Sequence, residues 1–119
     1  MKLLTKAIKA KLLANGAASA VAIGIDGNTP DHVPVVKFFN PCGGQTWLVT
    51  ELDEDEDRAF GLCDMGFGTP EFGYLSLNEL AAIRTPPFGL PIERDLHASF
   101  NKPISHYAAE ARVSGSITA

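Results

Sequence analysis

A chain of 119 residues, 45% hydrophobic and 20% charged, has the length and composition of one globular domain with its own core. The net charge of −4 argues against a general nucleic-acid binder, which needs a basic excess to neutralise phosphates. Two cysteines, Cys42 and Cys63, without C-x-x-C spacing favour free thiols in a reducing, cytoplasmic setting.

The N-terminus imitates two targeting signals. Met1-Lys2-Leu3-Leu4 followed by Ala18-Ser19-Ala20 looks like a signal peptide with its cleavage site, and the acid-free start up to Asp26 looks like a transit peptide. Lys6, Lys9 and Lys11 break the apolar segment that a signal needs, so the expectation is an ordinary surface helix. Thr5 is placed to cap it over Lys6 to Ala14, and Asn15-Gly16 reads as its stop. Leu4, Ile8 and Leu12 form an apolar stripe, with Lys2, Lys6 and Lys9 on a polar face that could meet an acidic partner or the chain's own acids. No apolar run approaches the ~20 residues a bilayer requires, and no membrane partner is expected.

Ala17 to Ile25 is small and apolar, a short strand or a packed loop, and Asp26 to Asp31 reads as a turn. Val33 to Phe39 is the first strand, with Pro34 at its start or on a free edge. A β-hairpin follows. Thr46, Trp47, Val49 and Thr50 on one arm and Phe60, Leu62 and Cys63 on the other suit a half-buried pleated surface. Between them lie the acids, which repel one another and would be costly to bury unpaired. Glu71 to Leu75 makes a fourth strand. Ser76 and Glu79 then form the S-x-x-E box that opens a second helix, with Leu75 and Leu80 as a hydrophobic staple and Thr85-Pro86-Pro87 as its end. An extended stretch from Phe88 to Leu96 is expected to cover one side of the sheet. Beyond Phe100 the periodic signal fades, and Ser114 to Ala119 reads as a frayed tail.

The expected architecture is therefore α+β: a four-stranded antiparallel β-meander with an N-terminal helix and a second capped helix packed on one face. It forms a single domain over 1–119, with an ordered core over about 1–100 and a partly flexible C-terminal extension over 101–119.

Three blocks carry a resemblance: Met1-Lys2-Leu3-Leu4-Thr5, then Val36-Lys37-Phe38-Phe39 leading to Thr46-Trp47-Leu48-Val49-Thr50-Glu51, then Gly89-Leu90-Pro91-Ile92-Glu93-Arg94-Asp95. In this order and spacing the chain resembles a bacterial family known only as a domain of unknown function, over roughly residues 1 to 100. Members of that family are typically carried on plasmids, phages and other mobile elements, often near antirestriction genes. The chain departs from it in an Ala-rich insert near residues 14 to 25 and in its tail. The resemblance implies a genetic setting and a cytoplasmic location; it supplies no catalytic residues.

Two clusters stand out as candidate sites. The acidic run Glu51, Asp53, Glu54, Asp55, Glu56 and Asp57 could imitate a phosphate backbone and steer the chain onto a basic partner. The plainer reading is a solvated loop. As a calcium loop the run lacks the Gly at position six and the closing Glu. Glu93, Asp95 and His97 would share one side of an extended strand with Arg94 opposite, an acid–base cluster or else an Arg–carboxylate clamp to the sheet. Metal ligation would draw on His32, Cys42, Cys63, His97 and His106, no two of which have zinc-site spacing, so neither metal nor cofactor is expected. Trp47, Phe38, Phe39 and Tyr74 would stack bases only if exposed, and core packing is the expectation at this net charge.

The functional expectation is a non-enzymatic, protein-binding accessory of a mobile element, an anti-defence inhibitor with the acidic hairpin loop as its contact. Its partner would be a bacterial protein such as a defence nuclease or surveillance complex. The alternatives are a small enzyme working through Glu93, Asp95 and His97, and a small nucleic-acid-binding module.

Overall fold

The computed structural model describes residues 3–119. Lys2 of the expected polar face lies outside the described residues. The elements run α1 (Lys6–Asp26), β1 (Val36–Phe39), β2 (Thr46–Leu52), β3 (Arg58–Asp64), β4 (Glu71–Ser76), α2 (Leu77–Ala82), β5 (Arg84–Thr85), β6 (Leu90–Pro91), β7 (Glu93–Arg94) and α3 (Ile104–Ser114). The fold mixes helix and sheet as expected, but the sheet has five strands, in the order β4-β3-β2-β1-β7, all antiparallel. The fifth, β7, pairs Glu93 and Arg94 with Phe39 and Phe38, so this segment extends the sheet edge instead of covering a face. β5 and β6 form a separate two-stranded ribbon, closed where Thr85 Oγ1 donates to the Leu90 carbonyl at 2.8 Å.

Helix α1 begins as expected: the Thr5 side chain accepts the Ile8 N–H at 3.1 Å. It does not stop at Asn15-Gly16. It continues for 21 residues to Gly27, whose φ of 76° makes the left-handed cap. The reason lies in the sheet. Asn15, instead of capping, donates its side-chain amide to the Thr50 carbonyl at 2.8 Å. Gly16 brings the helix so close to β2 that a Cβ would collide with the Leu52 carbonyl oxygen. Thus a dipeptide that ends helices locally is here the point of contact between helix and sheet. Ala17 to Ile25 is helix, neither strand nor loop.

A bulge sits beside that contact. Val49 pairs with Gly61 and Glu51 with Phe60, leaving Thr50 as the extra residue. The insertion returns Leu52 to the same face as Trp47 and Val49, and all three are buried. Gly61 is needed opposite, because a Cβ there would stand 2.9 Å from Val49 Cα and closer still to the Leu48 carbonyl.

The two sheet faces carry separate cores. Toward α1 and α2 lie Val36, Phe38, Trp47, Val49, Leu52 and Ala59, packed with Leu12, Leu77, Leu80 and Ile92. Leu4 and Ile8 join Leu12 there, so the expected stripe faces the sheet, and both expected helices pack on this face. The other face, Leu48 and Leu62, is covered by Ile104, Ala108 and Ala111 of α3. The sequence reading contains no such helix. The segment after it is tied down as well: Asp64 accepts the Ile117 N–H at 3.0 Å, and Lys37 Nζ donates to the Ala119 carbonyl at 2.7 Å.

The connection between α1 and β1 touches both helical layers. His32 Nε2 and Ser19 Oγ are hydrogen-bonded at 3.0 Å on the α1 side. On the α3 side, the His32 carbonyl accepts the Ile104 N–H at 2.8 Å, and the Asp31 carboxylate accepts the Ser105 N–H and hydroxyl. Asp31 thereby supplies the cap that Pro103, at the N-cap of α3, lacks the side chain to give.

One helical stretch, Lys6–Ile25, is long and apolar enough to cross a membrane by length and composition, which the run of single residues does not suggest. Leu12 and Asn15 commit it to the sheet and Ser19 to His32, all three buried, whereas Val21, Ile23 and Ile25 toward its end are exposed.

Candidate functional site

The acidic run sits at the end of the β2–β3 hairpin as expected, but most of its carboxylates are used within the chain. Asp53 N–H donates to the Arg58 carbonyl and Glu56 N–H to the Asp53 carbonyl, both at 2.9 Å, closing a turn in which Glu56 takes a φ of 62°. Asp55 Oδ1 accepts the N–H groups of Asp57 at 2.9 Å and Arg58 at 3.0 Å. Those two donors hold its carboxyl below the ordinary carboxylate range.

Asp57 serves α2. Its carboxylate accepts the Ser76 hydroxyl at 2.9 Å and the Asn78 N–H at 2.8 Å, while Ser76 Oγ accepts the Glu79 N–H at 3.2 Å. The Ser76 half of the expected capping box is therefore formed, and an acid from the neighbouring hairpin reinforces it. Glu56 forms an ion pair with Lys9, so the lysine face of α1 meets the chain's own acids. Asp53 pairs with Arg58 at 3.8 Å. Glu51 lies half-buried within β2 opposite Phe60 rather than in the loop, and Glu54 stands exposed.

The second cluster does not converge. Asp95 reaches Lys37 of β1 at 3.7 Å and accepts the backbone N–H of His97 at 2.8 Å. Arg94 donates to the Leu3 carbonyl at 3.0 Å. The clamp to the sheet thus runs through Lys37 and Asp95, and His97 lies exposed beyond it.

The remaining histidines are engaged separately, His32 with Ser19 and His106 with Glu110 at 3.1 Å. Both cysteines are free thiols, and burial pushes that of Cys63 up to about 11. Among the described residues no three His, Cys, Asp or Glu side chains are grouped to hold a metal ion.

The aromatics divide. Phe38 and Trp47 are core, Phe39 is half-buried, and Tyr74 is 60% exposed. Tyr74 belongs to a cluster on the α3 side of the sheet. Its ring lies 5.1 Å from that of Phe60, Phe72 stacks on Phe60 at 6.0 Å, and the Arg58 guanidinium covers Tyr74 at 3.8 Å. On the α1 side, beneath β4, is a groove of about 500 Å³. Trp47, Cys63, Leu75 and Leu80 line it, and Glu71 and Glu79 are its only charged residues. Met65, Phe67 and Ile83 stand exposed around it. β4 ends the sheet, so its outer backbone edge has no strand neighbour among the described residues.

The sequence blocks that suggested a family extend further than the first hundred residues. A family profile matches residues 3–118, including α3 and the segment after it. The chain belongs to the DUF2958 family, proteins of unknown function. No curated protein and no solved structure matches it. For this DUF2958 protein the site must therefore be read from its own surface, where the apolar rim of β4 is the feature that the sequence reading left out.

Proposed function

We propose that the chain is a non-enzymatic protein-binding module that takes an extended segment of a partner along the edge of β4. The carrying observation is that edge. Its six residues contain no Pro, Lys or Arg, its register with β3 runs without a bulge, and Glu71 at its first position is its one charge, so most of the usual devices that keep strands from adding are missing. Met65, Phe67, Phe72, Tyr74 and Ile83 flank it with exposed apolar surface. Monomeric proteins seldom leave such surface contiguous without a use. In strand addition the backbone ladder supplies affinity and flanking pockets supply specificity.

Charge favours a partner other than a second copy. Glu71 and Glu79 line the groove without a cation, so a self-pair would bring four carboxylates together, whereas an apolar segment bearing Lys or Arg is complemented. In the mobile-element setting that the family resemblance implies, the partner is a host protein, with a defence nuclease or its surveillance complex as the anti-defence case. Glu54 and the half-paired acids at the neighbouring hairpin end would steer such a basic partner.

The test is a titration of the isotope-labelled chain with a short Val/Thr-alternating peptide carrying terminal lysines. Amides 71–76 should shift and become protected from exchange, and Trp47 emission should change. A peptide N-methylated at alternate residues should bind far more weakly. Equal binding of the N-methylated peptide removes strand addition, and peptide shifts that avoid β4 altogether remove this surface.

A further inference from the structure

A larger cleft lies elsewhere, between the start of α1, α2 and the β6–β7 segment, with a volume of about 800 Å³. That size suits a small-molecule ligand. Lys6, Lys9, Arg84 and Arg94 line it, four of the chain's ten Lys and Arg, against one carboxylate, Glu56. A chain of net charge −4 therefore concentrates a local excess of three positive charges in one concavity.

Three of the four cations are held in place. Arg84 donates to the carbonyls of Ala81 at 2.9 Å and Ile83 at 2.8 Å, and Arg94 to that of Leu3 at 3.0 Å. Lys9 is drawn across by Glu56, and Lys6 is exposed on the adjoining turn of α1. These fixed positions lower the ordering penalty for capturing an anion.

Apart from Thr5 and Asn78, the rest of the lining is aliphatic. Leu3, Leu77, Ala81, Pro91 and Ile92 form the walls, and no aromatic residue is among the lining side chains. A stacked nucleobase has no platform here, whereas an aliphatic body has a surface to bury against.

We propose that this cleft binds an anionic headgroup, a phosphate ester by preference, carried on an aliphatic body. Arg84 and Arg94 fix the headgroup with planar, multidentate donors, Lys6 adds charge at the mouth, and the body lies along Leu77, Ala81 and Ile92. The site is separate from the β4 edge, and the proposal stands or falls without it. A soluble phosphate ester and a lipid headgroup share this chemistry.

The experiment titrates the labelled full chain with octyl phosphate below its micellar concentration, with octanol, and with inorganic phosphate. Vesicles of phosphatidylcholine with and without phosphatidic acid form a second arm. Octyl phosphate should shift the amides of residues 77–84, 90 and 92–94 and bind about tenfold or more tightly than either fragment, because charge and apolar burial act together. The double variant Lys6→Gln, Arg84→Gln, checked by circular dichroism for an unchanged fold, should lose about tenfold or more in affinity. Lys11→Gln, on the same helix but outside the cleft, should bind as the parent does.

Cleft shifts with monomeric octyl phosphate assign a soluble ester. Binding confined to phosphatidic-acid vesicles and lost in the double variant assigns a lipid headgroup. The proposal is overturned if octanol or inorganic phosphate alone binds as tightly as octyl phosphate, or if the double variant binds as the parent does. It is also overturned if neither arm perturbs the cleft at about 1 mM ligand, the weak end of specific binding.

Discussion

Gly16→Ala should destabilise this protein although alanine is the better helix former, and Gly24→Ala on the same helix should stabilise it. In a helix interior alanine is favoured over glycine by about 1 kcal/mol. At Gly24 nothing lies within 4 Å of the added methyl, so the propensity gain stands alone. At Gly16 the methyl meets backbone that has nowhere to go: the Leu52 carbonyl carbon would be 3.1 Å away and its oxygen nearer. Helix α1 would have to retreat by about 1 Å to restore ordinary contact, enough to forfeit a quarter to a half of each dispersion well along its inner face. That retreat draws Asn15 away from the Thr50 carbonyl, now 2.8 Å distant, and leaves two buried polar groups unsatisfied. Such groups cost about 1–3 kcal/mol, and overpacking typically costs a similar amount. Set against the propensity gain, the net loss is about 3 kcal/mol. Urea unfolding read by the fluorescence of Trp47, the chain's one tryptophan and a buried one, measures it directly. With a urea slope of about 2 kcal/mol/M, the midpoint should fall by about 1.5 M for Gly16→Ala and rise by about 0.3–0.5 M for Gly24→Ala. An upward shift for both variants would falsify the close helix–sheet approach.

Further outcomes follow from particular contacts and from burial. Asp57→Ala removes the acceptor of the Ser76 hydroxyl and the Asn78 N–H and should cost about 1–2 kcal/mol in urea unfolding. Glu54→Ala should stay within about 0.5 kcal/mol, and equal losses would refute the division of the acidic run into structural and solvated members. Burial raises the Cys63 thiol from 9.0 to about 11, so iodoacetamide at pH 8 should leave Cys63 unmodified in the native chain, with labelling confined to Cys42; rapid double labelling refutes it. Because the folded value lies above the unfolded one, the contribution of Cys63 to stability is complete below pH 9.0 and is lost as pH rises through about 11, a slope that Cys63→Ala should abolish. Asp64→Ala frees the N–H groups of Gly66 and Ile117, so amide exchange at Ile117 should accelerate while β2 remains protected.

The sequence made the hairpin and the second helix legible because their causes are local. Apolar, β-rich runs over 46–52 and 58–64, a block of acids between them, and a Ser-x-x-Glu box each act within a few residues. Asn15-Gly16 misled for the opposite reason, since its partners, Thr50 and Leu52, lie in a strand more than thirty residues away. Helix α3 buries only Ile104, Ala108 and Ala111, and two alanines at i+4 and i+7 give a hydrophobic period too faint to read. β7 is two residues long and exists because the β1 edge is there to receive it. The acidic run was visible as charge and the lysine face of α1 as one possible partner for it, settled by the Lys9–Glu56 pair, but its engagement with Ser76 and Asn78 was not legible, because both belong to another element. The same holds for the β4 rim. Glu71 to Leu75 reads plainly as strand, yet nothing in those residues says that no strand follows on the outer side.

The link made by Asp31 and His32 has a consequence for how the protein melts. Two cores separated by a sheet could in principle be lost one after the other, α3 peeling away while α1 stays docked. Here the same two residues anchor α1 through Ser19 and cap α3 through Ile104 and Ser105. Release of either helix slackens the segment that holds the other, so partial opening gains little entropy before the second layer follows. The two layers are thereby coupled into one cooperative transition, and probes on opposite faces should report the same midpoint.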